Sequence, residues 1–149
     1  MSAHDEQLSP NFRLSEFTRS DAAKRLGIRN EPPILIINRL RLVAWMMENV
    51  RRALDDHACI VTSGWRDWPV NKAVGGSSTS DHPSGWCCDF RSKFGTSYDI
   101  VARLDQRDIA FDQLINEQEK GIVHISFAPE LRNQVLTQKG ASFIGGNHR

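Results

Sequence analysis

The chain has 149 residues, a formal net charge of +1, 25% charged residues and 40% hydrophobic ones. That length supports one domain with a real core, and the composition excludes a disordered chain. The near-neutral balance argues against a nucleic-acid binder working through a broad basic face.

No stretch reaches the roughly 18 apolar residues of a membrane span, so no membrane insertion is expected. The polar start, residues 1–7, does not resemble a signal peptide, so the product is expected to be made in the cytoplasm. Residues 1–12 are mostly polar and expected to be loose. Leu14-Ser15-Glu16-Phe17 begins a short helix with Ser15 as N-cap, and residues 20–26 suggest a second, stopped at Gly27. After the breaker Asn30-Glu31-Pro32-Pro33, the apolar positions Ile36, Leu40, Val43, Met47, Val50 and Leu54 recur every three or four residues. That spacing predicts one long amphipathic helix over about 34–56. Arg39, Arg41, Arg51 and Arg52 fall on its solvated face.

Ala58-Cys59-Ile60-Val61-Thr62 reads as a buried strand, and Ser63-Gly64-Trp65-Arg66 as a turn that sets Arg66 just past its end. Asp67 caps a short helix over about 67–74, and residues 75–80 form a loop into His82. The turn Pro83-Ser84-Gly85 then separates His82 from a short strand, 86–90, that delivers Asp89 near its end. Thr96-Ser97 caps a helix over about 97–106. Residues 111–117 and 122–127 read as a hairpin joined by Gln118-Glu119-Lys120-Gly121. Residues 131–136 suit a last strand or short helix, and 140–149 a frayed end. Helices first and a small antiparallel sheet after them indicate an α+β fold, one domain over 1–149.

The chemistry concentrates at His82 and Asp89. A carboxylate that closes an apolar run must be paired, hydrogen-bonded or metal-bound if it is buried. With a second histidine, the pair makes a two-histidine, one-carboxylate set, the protein ligand count of a catalytic zinc. His124, inside the apolar strand Ile122-Val123-His124-Ile125-Ser126, is the best donor. His4 and His148 lie in polar termini and His57 at a helix end, poor places for a ligand. Cys59, Cys87 and Cys88 are an odd count without a CxxC pattern, so they read first as small buried hydrophobes. A thiolate nucleophile served by a histidine is the sharper alternative.

Ser63-Gly64-Trp65-Arg66, Asn71, Gly75-Gly76, Ser80-x-His82-x-x-Gly85-x-x-x-Asp89, Phe111-Asp112-Gln113-Leu114-Ile115-x-Glu117 and Val123-His124-Ile125-Ser126 follow one another in that order. The set resembles the zinc-dependent D-Ala-D-Ala carboxypeptidase-like peptidases, which act on bacterial cell-wall peptides. The opening Leu8-Ser9-x-Asn11-Phe12-x-Leu14-Ser15-Glu16-Phe17 is similar to their small single-domain phage and prophage branch. The resemblance implies a hedgehog/DD-peptidase type of fold, with N-terminal helices packed on the sheet. It also implies one zinc held by His82, Asp89 and His124, a substrate carboxylate on Arg66, and peptidoglycan peptides as substrate. Ser80 would fasten the loop or a ligand's surroundings and so touch the substrate side of the site. Without a signal peptide, such an enzyme would act on the wall after release or as part of a phage virion.

The best-known members carry an acidic residue three positions before the last zinc histidine, where this chain has Gly121. Glu117 is the expected substitute general base, with Glu119 in the turn as second choice. A four-residue turn at 118–121 pairs Glu117 with Ile122 and Ile115 with His124, which puts Glu117 and His124 on one face as diagonal neighbours. Two other functions compete: a catalytically inactive, zinc-stabilised binding or structural module of a phage particle, suggested by Gly121, and a thiol hydrolase using Cys87 or Cys88.

Overall fold

A computed structural model describes residues 5–149. It opens with the strands β1 (Gln7–Ser9) and β2 (Phe12–Arg13), the short helices α1 (Leu14–Thr18) and α2 (Asp21–Leu26), and the long helix α3 (Ile34–Ala53). Then come β3 (Cys59–Ser63), α4 (Trp68–Ala73), β4 (Cys87–Ser92), α5 (Ser97–Asp105), β5 (Gln113–Glu117), β6 (Ile122–Ser126), β7 (Gln134–Lys139) and β8 (Ser142–Gly145). The class is α+β, as expected.

The caps explain most boundaries. Ser20 accepts a hydrogen bond from Ala23 N, Asp67 from Trp68 N and Thr96 from Asp99 N, each meeting a free donor of the first turn. Helix α1 starts two residues earlier than the Ser15 cap implies: Arg13 takes the cap position, its N–H bonded to Glu16 Oε2, and Ser15 gives its backbone N–H and hydroxyl to Asp5. Helix α3 stops at Ala53 rather than near 56, since Asp55 and Asp56 turn into the left-handed region at φ 55° and 60°.

The main sheet has six strands in the order β3-β4-β6-β5-β7-β8, and it is mixed where an antiparallel sheet was expected. Strand β7 runs parallel to β5. The connection after β6 is tied back by the buried Asp112, which accepts from Arg132 N, Nε and Nη2, and this crossing carries the chain over to the far side of β5.

One face of the sheet is the core face. Cys88, Phe90, Leu114, Val123 and Ile125 pack there with Leu40, Val43, Met47 and Val50 of α3 and Ile100, Val101 and Leu104 of α5. Alternation then sends Asp89, His124, Ile115 and Glu117 to the opposite face.

Both ends differ from the loose termini expected. Leu8 and Phe12 belong to the core, while Ser9 and Asn11 are held by the buried Glu48 of α3, whose carboxylate accepts from Ser9 Oγ, Asn11 N and Asn11 Nδ2 at 2.7–2.8 Å. At the other end β8 pairs with β7, and Thr137 Oγ1 bonds both Gly146 O and His148 N.

Candidate active site

Asp89 of β4 and His124 of β6 are direct cross-strand partners, so the sheet register alone brings them together. Their side chains meet with Oδ1 2.9 Å from Nδ1. The other carboxylate oxygen, Oδ2, lies 3.3 Å from His82 Nε2, and the two imidazole rings stand edge to face with centroids 5.2 Å apart. All three residues are less than a tenth exposed.

His82 reaches this place from a loop that is held on several sides. Its Nδ1 lies 2.6 Å from Gly64 O, which fixes the ring so that Nε2 faces Asp89. Ser80 Oγ accepts from His82 N, Trp65 Nε1 donates to Pro83 O, and Asp81 accepts from Ser126 Oγ on β6. Arg39 Nη1 donates to Ser84 O at 2.8 Å, with its guanidinium 5.1 Å from the Trp86 ring. Sequence reading assigned Arg39 to a solvated helix face; the structure makes it a brace for the His82 turn. Only the distant pairing of α3 with that loop reveals this, and helical periodicity carries no such signal.

Gly64 is fixed by crowding. A Cβ there would stand 2.3 Å from Phe17 O, which already accepts the Trp65 N–H at 2.7 Å. Helix α1, the turn after β3 and His82 are thereby locked into one stack.

A family model described as Peptidase M15 matches residues 10–126. The chain belongs to the M15 family of zinc D-Ala-D-Ala carboxypeptidase-like peptidases. A comparison with curated proteins gives no match. The matched region of this M15 peptidase ends with β6, so β7 and β8 lie beyond it. M15 peptidases are zinc-dependent.

The donor chemistry of the trio fits such an ion. A carboxylate and two imidazoles converge in a buried place, and no lysine or arginine pairs with Asp89 among the described residues. Burial alone would raise the Asp89 pKa, but the two imidazoles outweigh it and hold the carboxyl far below its usual range. Burial likewise pushes the His124 pKa down, and its hydrogen bond to Asp89 and that residue's charge more than reverse the push. Cys87 joins the same place: one donor atom each from His82, Cys87 and His124 lie within 4.8 Å of one another.

The cysteines make poor nucleophiles. Cys87 and Cys88 are fully buried, and burial followed by the Asp89 charge pushes both thiols well above their ordinary range. Cys88 sits on the core face and cannot reach the histidines.

The β5–β6 hairpin has the register expected from a four-residue turn, with Glu117 opposite Ile122 and Ile115 opposite His124. Gly121 closes that turn at φ 67°, a conformation that favours glycine over an acidic residue. Glu117 is half-buried, its Oε2 is enclosed without a hydrogen-bond partner, and burial, then the Asp89 charge, raises its pKa. Glu119 lines the same small cavity as Glu117, with Lys120, Gln138 and Gly140, and its carboxylate is engaged, accepting from Gly140 N in the β7–β8 turn. Arg66 is half-buried; its Nη1 donates to Ser63 Oγ at 3.3 Å while its Nε is enclosed and unpartnered. His57 and His148 are engaged with the carbonyls of Leu54 and Gly145, away from the trio, and His4 lies outside the described residues.

Proposed function

We propose that this zinc peptidase cleaves a peptide bond in bacterial peptidoglycan, in stem peptides or their cross-links, and acts on the wall after release or as part of a phage virion. The reading rests on one observation above the rest: a buried carboxylate, Asp89, shared between His82 and His124 on the open face of the sheet. In it His82, Asp89 and His124 hold one zinc. Zinc, when bound, supplies a Lewis acid that polarises a carbonyl and acidifies water.

The chain's own residues do the rest. Glu117, with a raised pKa and an unpartnered oxygen, takes a proton from water and returns it to the leaving amine. Arg66 offers its fork to a substrate carboxylate and so sets the position of the bond. Ser80 holds the His82 backbone and keeps the substrate-side loop in place.

The test is incubation of zinc-loaded protein with purified peptidoglycan, with new peptide ends identified by mass spectrometry. Release that stops on chelation and survives thiol alkylation is the expected result. Intact peptidoglycan under these conditions would leave only the binding-module alternative.

A further inference from the structure

A cavity of about 370 Å³ lies along β3; none of the trio lines it, but residues bonded to or paired with the trio do. Ser63, in its wall, is the register partner of Asp89, and Arg66, also in its wall, donates its backbone N–H to His82 O at 3.3 Å. Arg91, two residues beyond Asp89 on β4, falls on the same face of the sheet about 7 Å further along. The site and the cavity are therefore two ends of one surface.

The wall of this cavity is cationic. It contains Arg19, Arg66 and Arg91 against one carboxylate, Asp21. Among the described residues the ion pairs engage other arginines, and none of these three lies within 4.0 Å of a carboxylate. Ile60 and Val74 add apolar surface that is 40% and 42% exposed. Strand β3, along which the cavity runs, is the last strand of the sheet, and among the described residues no backbone hydrogen bond outside its ladder to β4 involves residues 59–63. An extended ligand has a free edge to lie against.

We propose that this cavity is a second anion subsite, in which Arg19 and Arg91 bind a further carboxylate on the peptide whose first carboxylate is read by Arg66. Three guanidiniums with one opposing charge favour an acidic ligand, and a planar fork matches a carboxylate in two parallel hydrogen bonds. The apolar residues between them accept the peptide's aliphatic parts. The substrate class is thus an extended peptide carrying an acidic side chain, beyond a bare D-Ala-D-Ala end. The inference relies on the peptidase reading for where the bond lies, but the subsite itself is read by binding.

The experiment measures fluorescence anisotropy of a labelled pentapeptide that ends in D-Ala-D-Ala and carries one glutamate, beside its glutamine counterpart. Wild type should bind the glutamate peptide at least about tenfold tighter, the size of one charge-assisted hydrogen bond. Arg91→Gln and Arg19→Gln, both at exposed positions, should lose most of that preference, and Arg91→Lys should keep part of it. Equal affinities in wild type, or a preference intact in both glutamine variants, overturns the subsite. Mass spectrometry of the same mixtures separates the two readings. Cleavage without discrimination removes the subsite and keeps the peptidase; discrimination without cleavage supports the subsite and removes the peptidase.

Discussion

Asp89 and His124 face each other across β4 and β6, and their side chains meet at 2.9 Å on the face opposite the core. The pairing is a consequence of register, and a slip of one residue on either strand would send one partner into the apolar core. Asp89→Ala should lower zinc affinity by more than the 10–100-fold that loss of a supporting partner costs. Competition against a chromophoric chelator measures it, and an affinity within about threefold of wild type would contradict a ligand role.

Glu117→Gln keeps the shape of the side chain but not its ability to take a proton. A decrease in kcat of about 10²–10⁴-fold is expected, with zinc content unchanged. Wild-type turnover in this variant would assign the base elsewhere. Glu119→Gln, whose parent side chain is engaged with Gly140 N, should leave kcat within about twofold.

Gly64→Ala puts a methyl group 2.3 Å from Phe17 O, where backbone must give way. Overpacking of this kind costs about 1–3 kcal/mol, and the displaced Gly64 carbonyl also loosens the His82 ring. Urea unfolding should show the loss, and metal titration a weaker site. A variant with unchanged stability would mean that α1 and the β3 turn are not locked together.

Glu48 ties the β1–β2 segment to α3. Burial pushes its pKa up, but the hydrogen bonds from Asn11 and Ser9 win and hold it below the ordinary 4.5. Its contribution to stability is therefore fully present above that ordinary value and is lost as pH falls through the lower folded value. Glu48→Gln should be destabilised by about 1.5–3 kcal/mol at neutral pH, as for hydrogen bonds to charged groups, and should lose less stability than wild type between neutrality and strong acid. Unfolding curves at several pH values measure this; parallel losses in the two proteins would count against it.

How much of this was legible in the sequence varied with the range of the interaction. Helix α3, the Asp67 and Thr96 caps and the β5–β6 hairpin follow from local spacing and turn chemistry, and the hairpin register followed from counting the turn at Gln118 to Gly121. In the His82, Asp89 and His124 trio, Asp89 and His124 were readable because each interrupts or closes an apolar run, and His82 because a tight turn sets it just before the strand of Asp89.

Other contacts between distant segments were not readable. The crossing that makes β7 parallel to β5 depends on Asp112 and Arg132 meeting, and the order of both termini depends on polar residues finding buried partners at Glu48 and Thr137. Arg39 has the helical spacing of a surface arginine, and only the contacts with Ser84 and Trp86 give it its role. Arg19, Arg66 and Arg91 come from three separated segments, so the cationic cavity they line has no signature in the linear chain.

The central claim is that His82, Asp89 and His124 form one zinc site. Zinc content of the purified protein by plasma mass spectrometry, beside that of His124→Ala, tests it most directly. The account predicts about one zinc per wild-type chain and little in the variant, as for a catalytic site with three protein ligands. A wild-type chain that takes up no zinc, or a variant that keeps it, would contradict the site and the peptidase mechanism built on it.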